Sequence, residues 1–236
     1  MVNAIDKALV RSFEIFATLS DEQFAEVIGA ASFRIVDQGD AVFKQGETAH
    51  SFFVLVSGRL RVTQVTAEGQ QVIVRIVVPG DIFGIAKALQ RTDYPGTSTA
   101  LSPSGVLSWP MAKWSTFISA YPSMAVAAMQ TMGGRLQEAQ ARLRELATEE
   151  VERRVAHTVL RLGEKSGKPE ANGIRIDFPV SKQDIAELSG TTLHTVSRIL
   201  TAWEAAGLVE GGRQKLLLKK PDALLQIGDG VTPGYL

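Results

Sequence analysis

The chain has 236 residues, 45% of them apolar and 21% charged, enough for one large domain or two modest ones with a real core. Its 25 basic and 25 acidic residues cancel, which excludes a histone-like polycation and an acidic disordered tail but leaves room for a local basic patch. Cysteine is absent, so disulfides, thiolate-held zinc, cysteine-ligated iron–sulfur clusters and a cysteine nucleophile are excluded. No apolar run approaches the roughly 18 residues of a membrane helix, and MVNAIDKALVRSFEIF lacks a secretory pattern. A cytoplasmic protein without membrane contact is expected.

In chain order, Ser20 before DEQFAEVIGAA reads as an N-cap, with Asp21 and Glu22 in the first turn of a short helix. From about residue 33 to 110 short apolar segments (SFFVLVSG, LRVTQV, QVIVRIVV) are β-branched and aromatic. Gly39, Gly46, Gly58, Gly69 and Gly80 punctuate them, and AEGQ (Ala67 to Gln70) reads as a hairpin turn. Short strands with glycine turns are a barrel or sandwich signature.

At Pro122 the pattern switches to helix, predicted over Pro122–Ala147. Met129, Met132, Leu136, Ala139, Leu143 and Leu146 follow one another in steps of 3, 4, 3, 4 and 3, a heptad seam. A helix packing on its own domain usually shows a wider stripe. Here Gln137, Gln140, Arg142 and Arg144 keep it narrow, which favours a two-helix dimer. Gly133-Gly134 weakens the helix locally, or permits close helix approach. Glu138–Arg142, Glu149–Arg153 and Glu150–Arg154 are expected i,i+4 pairs. EEVERRVAHTVLRLGEKSG is again helical, Lys168–Gly173 reads as a polar turn and IRIDFPV as a short strand. The segment after Ile227 is expected to be a loose tail.

Residues 180–208 carry the functional signal. Ser181 and Asp184 form a capping box opening a short helix that buries Ile185, Ala186 and Leu188. Gly190 breaks it, and Thr191 or Thr192 caps a second helix whose buried face is Val196, Ile199, Leu200 and Trp203. The other face offers His194, Thr195, Ser197, Arg198 and Thr201, hydrogen-bonding and without acid. Two short helices about a glycine turn make a helix-turn-helix, although an ordinary helical hairpin shares the pattern. LVEGGRQKLLLKK then reads as a hairpin around Gly211-Gly212, a wing whose Arg213 and Lys215 are placed to touch phosphates.

With FKQGE (Phe43–Glu47), FFVLVSGRLRV (Phe52–Val62), VVPGDIFG (Val77–Gly84), SKQDIAELSG and TVSRIL in this order, the chain resembles the CRP/FNR family of bacterial transcription regulators from about Phe13 to Ile227. The resemblance implies an α+β fold: a cyclic-nucleotide-binding-type β-roll as effector domain (11–118), a dimerisation helix (119–147), a winged helix-turn-helix (148–227) and a tail (228–236). It also implies a homodimer on a palindromic site in double-stranded DNA, working with RNA polymerase. Arg198 stands where the family places its invariant arginine, suited to guanine of a TTG-like half-site. His194 replaces the usual glutamate, so readout there is expected to be altered. Ser197 joins these base contacts, while Lys182, Gln183, Thr192, Thr195, Arg213 and Lys215 are expected on phosphates.

Family cAMP receptors hold the nucleotide with a glycine–glutamate pair and an arginine–serine pair. Here the first place reads Gly84-Ile85, without the carboxylate, and the second reads TDYPGTST (Thr92–Thr99), without the arginine. A phosphate there would be costly to desolvate, so cAMP is not expected. The pocket is assigned to Gly84, Ile85, Tyr94 and Thr97. No metal site is expected. Haem with nitric oxide, another small molecule or no effector remain, because GTTLHTVSRILTAWEAAGLVEGGRQ is similar to the nitric-oxide-responsive (NnrR-type) denitrification regulators. His50, the sole histidine of the sensor half, is the one imidazole there for haem iron, although a solvated loop histidine is the commoner case. A cupin-like enzyme on the same roll needs clustered histidines that this chain lacks. A ligand-binding interaction module that does not read DNA is the other alternative.

Overall fold

The computed structural model describes residues 6–212 and 214–231. Helices α1 (Lys7–Arg11), α2 (Glu14–Ala17) and α3 (Asp21–Gly29) come first. Ser20 caps α3 by accepting from the Gln23 N–H, and Gln23 Oε1 accepts from the Ser20 N–H, completing a capping box of which the sequence shows plainly only the serine.

The strands β1 (Ser32–Val36), β2 (Ala41–Phe43), β3 (Ser51–Ser57), β4 (Leu60–Val65), β5 (Gln71–Val77), β6 (Ile82–Phe83), β7 (Thr97–Ala100) and β8 (Ser104–Pro110) follow, with a 3-10 turn at Ala86–Leu89. They form two antiparallel sheets of order β1-β8-β3-β6 and β2-β7-β4-β5. All five punctuating glycines adopt left-handed φ, and Thr66 to Gln70 closes the β4–β5 hairpin. Strand β3 explains its unbroken apolar run, because both its faces are buried. Phe53 and Leu55 enter the cluster between the sheets, whereas Phe52, Val54 and Val56 face a second cluster beneath the helices. That second cluster holds Phe16, Ile82, Trp109, Phe117 and Met124, and the Trp109 indole N–H donates to the Val27 carbonyl at 2.7 Å.

Helices α4 (Ala112–Ala120), α5 (Pro122–Thr148) and α6 (Val151–Ser166) follow, then β9 (Gly167–Glu170), β10 (Gly173–Ile176), α7 (Lys182–Ser189), α8 (Leu193–Ala205), β11 (Val209–Gly212), β12 (Lys215–Leu218) and α9 (Pro221–Gly228). The chain divides into two compact units between Glu138 and Ala139, inside α5. Helix α5 is therefore no module of its own, because its Met124, Ala127 and Ala128 lie in the core of the first unit.

The second unit buries Val155, Val159, Ile185, Val196, Trp203, Leu217 and Leu224, and its sheet has the order β11-β12-β10-β9. Two expectations change there. Lys168–Gly173 is not simply a turn, since Lys168 to Glu170 pair with β10. Strand β9 is an exposed edge, which tolerates Pro169 and polar residues and hides the alternation expected of a strand. The Glu150–Arg154 pair is replaced by bonds from Arg154 to backbone carbonyls, whereas Glu149–Arg153 is present at 3.7 Å. Helix α9 runs one residue past Ile227, and residues 232–236 of the expected tail lie outside the described residues.

Candidate nucleic-acid interface

Local chemistry sets the two helices. Ser181 accepts from the Asp184 N–H, and Asp184 accepts from the Ser181 N–H at 2.8 Å. Helix α7 ends at Gly190, with φ +64. A Cβ there would stand 2.5 Å from Leu146 Cδ2, so both conformation and space demand glycine. Thr192 is the cap of α8, accepting from the Thr195 N–H at 3.2 Å.

A feature missed from sequence holds the turn. Arg154 of α6 donates to the carbonyls of Ser189 (3.1 Å), Gly190 (3.3 Å) and Glu149 (2.8 Å). A guanidinium suits the carbonyl-rich end of α7. Trp203 of α8 donates to Glu152 of α6 at 2.8 Å.

Val196, Ile199, Leu200 and Trp203 of α8 are buried. Its outward side presents Leu193, His194 and Arg198 in solvent, with Ser197 partly covered. The Lys182 ammonium donates to Ser197 Oγ at 3.2 Å, and Gln183 donates to Glu187 at 3.0 Å. The Thr192 and Thr195 hydroxyls bond each other at 2.9 Å. Lys215 is exposed at the start of β12. Gly211 and Gly212 lie in β11, paired with Leu216 and Lys215, and Gln214 has φ +59. Arg213 lies outside the described residues. A Cβ on Gly211 would meet Glu204 at 2.2 Å; the wing backbone packs on that carboxylate. Between α8 and the wing is a cleft of about 390 Å³ lined by Lys182, Glu204, Gln214 and Lys215 among others.

The heptad residues split into two columns. Met129, Leu136 and Leu143 stand at 65%, 59% and 67% exposure, and Val126 and Ala139 are exposed beside them. Met132 departs from a uniform seam, because it packs against the core of the first unit. Leu146 borders Gly190 but stays 52% exposed.

Of the residues assigned to the effector pocket, Gly84 and Tyr94 meet at Phe43, whereas Ile85 does not join them. Gly84 lies against Phe53 and Phe43, and Tyr94 stacks on Phe43 with ring centroids 3.9 Å apart. The Tyr94 hydroxyl donates to the Ser51 carbonyl at 2.7 Å and accepts from its N–H at 3.2 Å. Burial raises its pKa, partly offset by the Ser51 bond. Ile85 turns away into the cluster under the helices, because Gly84 at φ +68 reverses the chain just before it. Thr97 Oγ1 accepts from the Gln45 N–H at 3.0 Å. The space between the sheets is filled by Phe43, Phe53, Phe83 and Tyr94.

A charged cluster at the roll also escaped the sequence reading. Arg75 follows a bulge at Val74, sits 3.6 Å from Asp81, and donates to the Ile82 carbonyl at 3.4 Å; Arg135 of α5 donates to the same carbonyl. Burial first, then Arg75, lowers the Arg135 pKa to about 10, against Asp81 and Glu138. His50 is exposed just before β3. Among the described residues no cluster of three histidines or carboxylates is placed to hold a metal, and no helix is long and apolar enough to cross a membrane.

The cyclic nucleotide-binding domain matches residues 33–121, and the Crp-like helix-turn-helix domain matches residues 153–227. The global nitrogen regulator of Synechocystis is 25% identical over 214 residues, covering 90% of this chain and 93% of that protein. The cyclic AMP receptor protein of Thermus thermophilus is 25% identical, covering 92% and 98%. In fold, the chain is like a CooA mutant from Carboxydothermus hydrogenoformans, with TM-score 0.74, 20% identity and coverage of 92% and 96%. With a β-roll leading into a long helix and a winged helix-turn-helix, and with relatives that are regulators rather than enzymes, the chain belongs to the CRP/FNR family of DNA-binding transcription regulators.

Proposed function

We propose that the protein acts as a homodimer that lays α8 of each subunit in the major groove of a palindromic operator. The observation that carries this is the split character of α8: one face buried, the other presenting His194 and Arg198 to solvent beside Lys182 and Lys215. Arg198 takes a guanine of a TTG-like half-site through O6 and N7. His194 and Ser197 read neighbouring base edges, and Lys182, Gln183, Thr192, Thr195, Arg213 and Lys215 hold phosphates and set register. Pairing of two α5 helices through Met129, Leu136 and Leu143 spaces two recognition helices by about one turn of DNA. Gly133, on that side of α5 with nothing within 4 Å of a built Cβ, leaves room for a partner helix.

The residues from 175 to 220 include seven basic and five acidic ones, a small excess, so specificity must come from base contacts more than from charge. The test is a titration of the full chain on a palindromic duplex with TTG half-sites and on a scrambled duplex at fixed salt. One dimer per palindrome with at least about a thousandfold preference supports the reading. Equal affinity for both overturns it and favours the interaction-module alternative.

For the signal, the filled interior and the missing phosphate clamp speak against cAMP. The similarity of the DNA-reading end to nitric-oxide-responsive regulators makes haem the first ligand to try. Absorption spectra of the chain titrated with haemin and nitric oxide decide it, with His50→Ala as control. A haem band altered in that variant supports ligation by His50, and unbound haemin removes the haem reading.

A further inference from the structure

The last turns of α5 and the recognition helix belong to one compact unit, which begins at Ala139. Polar links through α6 join them. Arg161 of α6 donates to both carboxylate oxygens of Glu145 in α5, at 2.5 and 3.0 Å. Trp203 of α8 donates to Glu152 in the first turn of α6. Arg154, in the same turn, holds two places at once. Its guanidinium donates to the Glu149 carbonyl at the α5–α6 elbow and to the Ser189 and Gly190 carbonyls in the turn before α8.

The packing of α6, α7 and α8 does not depend on Arg154, because it rests on buried Val155, Val159, Ile185, Val196 and Trp203. Arg154 itself is only half-buried. Apolar contact is non-directional, so by itself it resists small rotations weakly. A guanidinium is a rigid planar fork, and three carbonyls held by one of them fix orientation as well as distance. Orientation is what a palindrome tests. One base pair more or less between half-sites displaces one of them by about 3.4 Å and turns it by about 35°.

We infer that Arg154 is a positioning residue that sets the half-site spacing the protein accepts, by tying the turn before α8 to the α5–α6 elbow. The inference rests on the proposed pairing of two α5 helices and on the seating of α8 in the major groove. Leu143 of the outward column lies in the same unit as these links, so the path from the paired helices to α8 is short and braced throughout. The Glu145–Arg161 pair is the brace at its α5 end. Arg154 acts on DNA through α8.

The experiment takes a palindromic operator enriched from a randomised pool by the full-length chain, and lengthens or shortens its spacer by one base pair. Affinities of the wild type, Arg154→Lys and Arg154→Met are measured on the three duplexes and on a duplex with a single half-site. The ratio of cognate to altered-spacer affinity should be at least about tenfold for the wild type, because DNA or protein must be deformed to fit. For Arg154→Met it should fall to about threefold or less, with affinity for the single half-site within about twofold of the wild type. Arg154→Lys, a single ammonium on a flexible stem, should lie between. Thermal unfolding and light scattering check that each variant is folded and dimeric. If Arg154→Met does not fold, Arg154→Lys and Arg161→Met decide by the same ratio.

Two results overturn the inference while leaving the operator reading in place. One is a spacing ratio as steep in the folded variants as in the wild type. The other is an equal loss on every duplex, the single half-site included, which is the mark of a merely structural arginine. A pool from which the wild type enriches no palindrome overturns the operator reading, and the inference with it.

Discussion

In the first unit the space between the two sheets is occupied by Phe43, Phe53, Phe83 and Tyr94, whereas in the second unit α8 carries His194 and Arg198 out into solvent. Both regions start from apolar surface that must be covered, on both faces of β3 and on one face of α8. The roll covers both faces of β3 and uses up its interior in doing so. The helix-turn-helix covers one face of α8 against α6 and α7 and leaves the other unspent. The difference teaches that, of these two regions, the outward face of α8 is the one open to a partner without rearrangement. A ligand entering between the sheets has to displace stacked aromatic rings.

The largest effect that tests this contrast is on stability. Phe43→Ala should destabilise the first unit by about 3–5 kcal/mol in urea unfolding, because Phe43 stacks on Phe53 and Tyr94 at 5.6 and 3.9 Å. A cost under about 1 kcal/mol would mean that the interior is loosely filled and has room for a ligand. Next comes association. Leu143→Glu puts a charge into the exposed column of α5, where each fully buried leucine is worth about 1.5–3 kcal/mol, and should give monomers by light scattering. A persistent dimer at micromolar concentration removes that column as the interface.

Tyr94→Phe should cost about 1 kcal/mol through the lost bonds to Ser51. Burial holds the Tyr94 phenol above its ordinary value, so above the unfolded pKa the unfolded chain gives up a proton that the folded chain keeps. This contribution is complete below pH about 10 and is lost as pH rises through the folded value. The alkaline limb of the stability curve should be steeper in the wild type than in Tyr94→Phe, and parallel limbs would contradict it. The smallest effect is an expected absence of change. Cyclic AMP at millimolar concentration should leave the melting temperature unmoved. A ligand at a hundred times its dissociation constant would add about 2.7 kcal/mol, so any real binding at micromolar affinity is visible.

The helix-turn-helix was legible because its signals are local. Ser181, Asp184, Gly190 and Thr192 each act within a few residues, and the buried face of α8 follows a 3.6-residue period. The glycine turns of the roll were legible for the same reason. What escaped depends on partners distant in sequence or on which way a turn throws the chain. Arg154 looked like half of an i,i+4 pair until α7 brought its terminal carbonyls alongside. Ile85 looked like a neighbour of Gly84 in one pocket, but a left-handed glycine sends the next side chain to the opposite cluster. The glycines of the wing suggested the hairpin tip; both pair within the β11–β12 ladder instead, leaving Gly211 where Glu204 needs a bare backbone. Met132 shows that a heptad spacing does not by itself say which column faces outward.

The central claim is that the open face of α8 reads bases while the flanking cations hold the backbone. The most direct test measures Arg198→Ala and Lys215→Ala beside the wild type, on cognate and scrambled duplexes, across a series of salt concentrations. Arg198→Ala should lose about 1–3 kcal/mol on the cognate duplex, flatten preference at one base pair per half-site and leave scrambled DNA nearly untouched. Lys215→Ala should weaken both duplexes alike and lower the salt slope by about one. An equal loss on both duplexes from Arg198→Ala would make Arg198 a phosphate contact and contradict base reading by this face.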